Sequence, residues 1–269
     1  MHAARLNGIN LHYQVIGAPE GRPTIVFSNS LGTDSRIWRD VIVRLVGEAA
    51  IVTYDKRGHG LSELGRTPHV IDDHVVDLAA LLDHLGGRPV VLCGLSVGGL
   101  IAQGLALARP DLVSGLVLCD TGMKIGDEAV WGPRIEAVGR DGMEAVADAT
   151  MQRWFTADYH AREADMVALW RTMLVRQPAE GYVATSRAIL GADYRERAGS
   201  IAKPTLCLVG DDDRATPPSL VAELAKAIPG ARYEVVTGAG HLPCVEQPEM
   251  VAEMIRAFLP MVGEAEGTA

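Results

Sequence analysis

The stretch Gly94-Leu95-Ser96-Val97-Gly98 follows the apolar run Val90-Val91-Leu92-Cys93 and leads into a helix-forming segment from Val97 to Ala108. A serine on a sharp strand-to-helix turn is pushed clear of the sheet. Its strained backbone needs small neighbours, which Gly94, Gly98 and Gly99 supply. Ser96 is therefore the candidate nucleophile, and the amide of Val97, opening the helix, is a candidate donor to an oxyanion. Glycine-rich turns of this kind also occur without catalysis, so the pentapeptide alone is half a case. An acid and a base must accompany it.

Both follow in chain order, each after a later apolar run. Thr205-Leu206-Cys207-Leu208-Val209 is followed by Gly210-Asp211-Asp212-Asp213-Arg214-Ala215-Thr216-Pro217, and Tyr233-Glu234-Val235-Val236 by Gly238-Ala239-Gly240-His241. A lone histidine is an ordinary surface or core residue, but one placed after the last strand can take a proton from Ser96 and return it to the leaving oxygen. A carboxylate would fix its tautomer and stabilise the imidazolium. Chemistry alone leaves the acid open among the three aspartates. It speaks against a metal: a contiguous acidic triplet cannot aim every side chain at one point, and no histidine cluster or ring of oxygen ligands accompanies it. Cys244, three residues beyond His241, reads as a small packing residue.

The elements that must position these groups are legible as alternation. Short apolar runs at Thr24-Phe27, Ile51-Tyr54, Val90-Cys93, Leu116-Cys119, Thr205-Val209 and Tyr233-Val236 are separated by helix-length segments, the rhythm of a mostly parallel sheet. Helical stripes stand out at Val75, Leu78, Leu82 and Leu85, and at Val251, Met254, Ile255, Phe258 and Leu259, with Pro248 placed to open the last helix. Leu11-Val15 reads as an early antiparallel edge strand, reversing through Asn7-Gly8. Between Thr121 and Ser200 the strand runs stop, and this helical text carries Trp131, Trp154 and Trp170. The expected organisation is an α/β core from 1–120 and 201–262, an inserted helical cap from 121–200, and a frayed polar tail at 263–269.

The whole chain has 269 residues, which one α/β core with one insertion fills. Its apolar runs all fall short of the roughly 18 residues that a membrane helix needs. The amino terminus lacks the apolar stretch of a secretory signal, so a cytoplasmic location is expected. Cys93, Cys119 and Cys207 lie inside apolar strand runs, and no disulfide framework is implied. A net charge of −9 with no basic block makes nucleic acid an unsuitable partner.

Over nearly its whole length the sequence resembles the α/β-hydrolase superfamily. Besides Gly94 to Gly98, Asp55-Lys56-Arg57-Gly58-His59-Gly60-Leu61-Ser62 is similar to that superfamily's Asp-x-Arg-Gly-x-Gly-x-Ser loop, and Gly210, Asp213, Thr216 and Pro217 match its Gly-x-x-Asp-x-x-Thr-Pro pattern. The resemblance selects Asp213 as the acid. More narrowly, the chain resembles the 3-oxoadipate enol-lactonases of aromatic catabolism. The usual His-Gly after the third strand is replaced by Ser28-Asn29-Ser30-Leu31-Gly32-Thr33-Asp34, and Arg153-Trp154-Phe155, Glu180-Gly181-Tyr182 and Gly240-His241-Leu242-Pro243 are similar too. By position, Leu31 would supply the second oxyanion amide, with Asn29 and Ser30 near the substrate. Val97 departs from the methionine frequent in that family, which leaves its amide role intact and alters the pocket.

The resemblance implies a carboxylic ester hydrolase in which Ser96 attacks the lactone carbonyl, the amides of Leu31 and Val97 hold the oxyanion, and His241 activates water against the acyl enzyme. No metal or organic cofactor is required. The substrate, a small lactone or ester, carries a carboxylate that a chain of net charge −9 must meet with a local cation. Arg134, one helical turn after Trp131, is the first candidate, and Arg153 beside Trp154 the second. The same triad would serve a general carboxylesterase, a perhydrolase or a carbon–carbon hydrolase, and a hydrolase-like ligand receptor is the non-enzymatic alternative. A dehalogenase is disfavoured, because its aspartate would stand where Ser96 does. Association into a homo-oligomer is left open.

Overall fold

The computed structural model describes residues 1–17 and 21–266. In chain order they form β1 (His2–Leu6), β2 (Ile9–Ile16), β3 (Thr24–Ser28), α1 (Arg39–Leu45), β4 (Ala50–Tyr54), α2 (Ile71–His84), β5 (Val90–Leu95), α3 (Val97–Ala108) and β6 (Val113–Cys119). There follow α4 (Glu128–Asp141), α5 (Glu144–Trp154), α6 (Ala157–Arg162), α7 (Ala164–Val175), α8 (Ala179–Gly191), β7 (Thr205–Gly210), α9 (Pro218–Ala227), β8 (Arg232–Val236), α10 (Pro243–Glu246) and α11 (Pro248–Glu266).

The strands make one sheet in the order β1-β2-β4-β3-β5-β6-β7-β8. It is parallel from β4 to β8 and antiparallel at β1 and β2. The sheet bears out the α/β-hydrolase architecture expected from the alternation. Every residue of β5, β6 and β7 is buried, which is why these strands read as continuous apolar runs, whereas edge strand β8 is partly exposed. The hairpin between β1 and β2 closes with Leu6 opposite Ile9. Asn7 and Gly8 both take positive φ there, as a two-residue turn with primed geometry requires.

Helices cover the sheet in packed pairs, α2 with α3 and α1 with α11. Gly115 in β6 lies where α11 comes closest, since a Cβ there would meet Val262 Cγ2 at 2.7 Å. The α2 stripe buries Val75, Leu78 and Leu82, but Leu85 falls just past the helix end and is partly exposed, because the helix stops at His84. The last helix opens at Pro248 as expected and buries Val251, Ile255 and Phe258, with Met254 and Leu259 half-buried beside them. It runs to Glu266, four residues into the polar tail expected at 263–269; the remainder of that tail, 267–269, lies outside the described residues. Between β6 and β7 the chain forms five successive helices, α4 to α8. Among the described residues no helix is long and apolar enough to cross a membrane.

Candidate active site

Parallel strands deliver their following loops to one edge of a sheet, and here four such loops converge. The turn after β5 places Ser96 with φ 59° and ψ −115°, in the left-handed half of backbone space that a non-glycine residue enters only under constraint. The constraint is visible. The Ser96 amide donates to the carbonyl of Cys119 at 3.0 Å, and its carbonyl accepts from the amide of Gly99 at 2.9 Å and from Thr121 Oγ1 at 2.7 Å. The glycines leave no room for anything larger: a Cβ on Gly94 would collide with the Gly98 carbonyl, one on Gly98 with the Ser28 carbonyl, and one on Gly99 with Thr121 Cγ2 at 2.5 Å.

His241 and Asp213 meet across the loops after β8 and β7, with His241 Nδ1 2.9 Å from Asp213 Oδ2 and both side chains buried. Asp213 Oδ1 also accepts from the amides of Ala215 and Thr216 at 2.8 and 3.1 Å, and Oδ2 from Thr216 Oγ1 at 2.5 Å. Burial alone would raise this carboxyl, but the charge and hydrogen bond of His241, with the donors of Thr216 and Ala215, outweigh it and hold Asp213 below the usual carboxylate range. Asp211 instead accepts the amides of Gly238 and Ala239, and Asp212 pairs with Arg214 at the surface. The His241 loop is tied down from two sides. The His241 amide donates to the carbonyl of Trp154 at 2.9 Å, and Glu246 accepts from the Gly240 amide at 2.6 Å and from Thr156 Oγ1 at 2.8 Å.

Ser96 and His241 line one cavity of about 200 Å³, walled by Ser30 and Leu31 from the loop after β3, Thr216 from the Asp213 loop, and Trp131, Arg134, Arg153, Trp154 and Tyr182 from the inserted helices. This is below the ~300–1,000 Å³ of sites for drug-sized ligands, so it suits a small substrate. Arg134 lies over Trp131, 4.6 Å from the ring centroid, while Trp131 Nε1 donates to the carbonyl of Ile125 at 2.7 Å. Arg153 donates to Thr150 Oγ1 at 2.9 Å. Burial, then the neighbouring Arg134, pull the Arg153 guanidinium below its ordinary range. Burial pushes the Tyr182 phenol up, against the opposing pull of Arg134 and Arg153. Neither arginine has a carboxylate partner among the described residues, although both face the cavity.

The structure thus brings together Ser96, Asp213, His241, Ser30, Leu31, Trp131, Arg134 and Trp154, with fully buried Val97 at the first position of α3. It does not bring Asn29. That side chain is fully buried and is not part of the cavity wall; its Nδ2 donates to the carbonyl of Thr33 at 2.7 Å, and its Oδ1 has no hydrogen-bond partner among the described residues. Cys244 is buried away from the cavity as well. Sequence reasoning missed Asp120, which no local pattern marks beyond its place after an apolar run. Its carboxyl is fully buried, accepts the Gly210 amide at 2.9 Å and has an oxygen within 4.8 Å of a carboxylate oxygen of Asp213 and a ring nitrogen of His241. Burial, then the negative charge of Asp213, raise Asp120 well above the usual carboxylate range. The part of Glu246 was equally invisible, and Tyr182 was marked only within the resembling segment Glu180-Gly181-Tyr182, because α10 and α8 meet the site only in three dimensions.

Comparison with known proteins gives a consistent result. Residues 25–254 match the alpha/beta hydrolase family. The chain is similar to 3-oxoadipate enol-lactonase 2 of Acinetobacter baylyi, 32% identical with 93% of each chain covered, and to 3-oxoadipate enol-lactonase 1 of the same bacterium, 33% identical with 95% of each covered. The crystal structure of the enol-lactonase from Burkholderia xenovorans LB400 superposes with a TM-score of 0.93 at 39% identity, covering 96% of this chain and 100% of that one.

Proposed function

Because the chain belongs to the alpha/beta hydrolase family, we propose that this hydrolase opens the ring of 3-oxoadipate enol-lactone through a Ser96-His241-Asp213 triad. Ser96 attacks the lactone carbonyl and His241 takes its proton. The oxyanion is held by the amides of Leu31 and Val97, neither of which has an acceptor among the described residues. The ring oxygen departs as an enol, a better leaving group than an alkoxide, so His241 has a modest protonation task. It then activates water, which hydrolyses the acyl enzyme, and the freed enol tautomerises to the ketone of 3-oxoadipate. The helices between β6 and β7 act as a cap that supplies the substrate-binding wall.

The observation that carries this reading is the cavity's charge. Two cavity arginines with no carboxylate partner among the described residues, in a chain of net charge −9, suit a substrate bearing its own carboxylate, and Trp131 and Trp154 supply an apolar wall for the ring. A general esterase for neutral substrates would have no use for that pair. The names of the relatives point the same way.

The test follows loss of authentic 3-oxoadipate enol-lactone with the wild type and with Ser96→Ala. Turnover by the first and none by the second is expected. Rapid hydrolysis of simple esters with no action on the lactone would sink the substrate assignment and leave a general serine esterase. Lactone turnover that survives Ser96→Ala would sink the nucleophile.

A further inference from the structure

The loop Asp55 to Ser62, so marked in the sequence, contributes nothing to the cavity wall, yet it holds the loop that does. Lys56 is 1% exposed, and its Nζ donates to the carbonyl of Ser30 at 2.5 Å and to that of Thr33 at 3.3 Å. Thr33 Oγ1 donates to the same Ser30 carbonyl at 2.9 Å. His59, fully buried, accepts the Gly32 amide on Nε2 at 3.0 Å, with Nδ1 3.3 Å from the carbonyl of Arg57, a pattern that suits the neutral ring protonated on Nδ1. Asp55 Oδ1 accepts the amide of Ser35 at 3.0 Å. Ser30, Gly32, Thr33 and Ser35 are thus gripped from the neighbouring loop, on either side of Leu31.

The Ser30 carbonyl belongs to the same peptide group as the Leu31 N–H. In a trans peptide these two dipoles point in opposite directions within one plane. A donor fixed on the carbonyl therefore aims the N–H away from itself, and by drawing electron density toward the oxygen it makes the N–H a stronger donor. A buried lysine is costly to keep, and burial pulls Lys56 down to about 7 against the favourable charges of Asp55 and Asp34. Aliphatic packing alone would be met by leucine or methionine at no such cost.

We propose that Lys56 is a positioning residue for hydrolysis: through the Ser30 carbonyl, and with Thr33 Oγ1, it orients and polarises the Leu31 amide as an oxyanion donor. The proposal rests on the reading of Ser96 as nucleophile and Leu31 as half of the oxyanion hole. It gives Lys56 a part in the transition state and none in ground-state binding. Removing it should lower kcat and leave KM in place.

The experiment measures kcat and KM for the enol-lactone, or for p-nitrophenyl acetate, together with inhibition by phenylboronic acid, whose tetrahedral serine adduct puts an oxygen in the oxyanion hole. Lys56→Met should lower kcat about 10- to 100-fold, a part of what outright loss of an oxyanion donor costs. KM should stay within about twofold, and the boronate should weaken in proportion to kcat. Thr33→Val, nearly isosteric, removes the second donor from the same carbonyl and should show the same split at about 3- to 10-fold. It serves if Lys56→Met does not fold by circular dichroism. Wild-type kcat and boronate affinity in either folded variant, or a change confined to KM, would overturn the proposal while Ser96→Ala remained inactive. An active Ser96→Ala would overturn the nucleophile reading, and this proposal with it.

Discussion

The guanidinium of Arg134 sits 4.6 Å from the ring centroid of Trp131, one turn earlier on α4. The stacking presents a cation to the cavity on a rigid aromatic support, at the distance where cation–π attraction is effective. Arg153 approaches from α5, close enough to disfavour its own charge, so a bound carboxylate would relieve the repulsion between the two.

It follows that Arg134→Ala should raise KM for the enol-lactone about 10- to 100-fold, the usual worth of a charge-assisted hydrogen bond. The rate on a neutral ester such as p-nitrophenyl acetate should change little. Steady-state kinetics on both substrates check it, and equal losses on the two would assign Arg134 to packing against Trp131 instead.

Asp213 and Asp120 lie side by side with opposite tendencies, the first held low and the second raised. Asp213→Asn should cost about 10⁴-fold in kcat, since the imidazole loses its orienting anion. Asp120→Asn should retain most activity, because an amide oxygen can still accept the Gly210 N–H. Its signature lies in stability. A raised carboxyl stabilises the fold below its ordinary range and loses that contribution as pH climbs through the raised value. The melting temperature of Asp120→Asn, relative to wild type, should therefore grow more positive from about pH 4 to about pH 8, as read by calorimetry. A constant difference would mean that Asp120 titrates normally.

The nucleophile turn should tolerate no added carbon. Gly98→Ala would drive its Cβ into the Ser28 carbonyl, a backbone atom of the adjacent strand that cannot rotate away. A loss of about 2 kcal/mol or more in unfolding free energy is expected, within the range for overpacking a core. Urea denaturation measures it, and a neutral result would show that β3 and α3 can move apart without penalty.

These expectations draw unequally on the sequence. Ser96, His241 and an acid among Asp211 to Asp213 were legible because each follows an apolar strand, and buried parallel strands such as Val90-Leu95 announce themselves as unbroken runs, whereas only the resemblance singled out Asp213. The first position of Leu31 in the cavity wall was legible only by resemblance. Asn29, two residues away, shows the limit of that route: Ser30 and Leu31 line the cavity, while the buried Asn29 side chain beside them donates to the carbonyl of Thr33. Lys56 and Asp120 were illegible in their parts, since charged residues read as solvated until the structure shows them buried. Glu246 was illegible for a further reason, since its contacts with Thr156 and Gly240 join segments far apart in the chain.

The buried lysine makes a last prediction, independent of catalysis. The groups facing Lys56 are the carboxylates of Asp34 and Asp55, which favour its cation, and the rings of His59 and His74, which burial and neighbouring positive groups keep neutral. With the amine pulled down to about 7, the folded protein releases a proton there that the unfolded chain keeps up to the ordinary lysine range. Across that window the unfolded state binds more protons, so this residue's contribution to stability rises with pH. Below it the full cost of burying the cation is present. Methionine does not titrate, so Lys56→Met, measured against wild type, should be more favourable to stability at about pH 6 than at about pH 9. Thermal unfolding at the two values provides the comparison. A difference that is the same at both, or reversed, would mean that Lys56 stays protonated in the fold and that Asp34 and Asp55 compensate its burial completely.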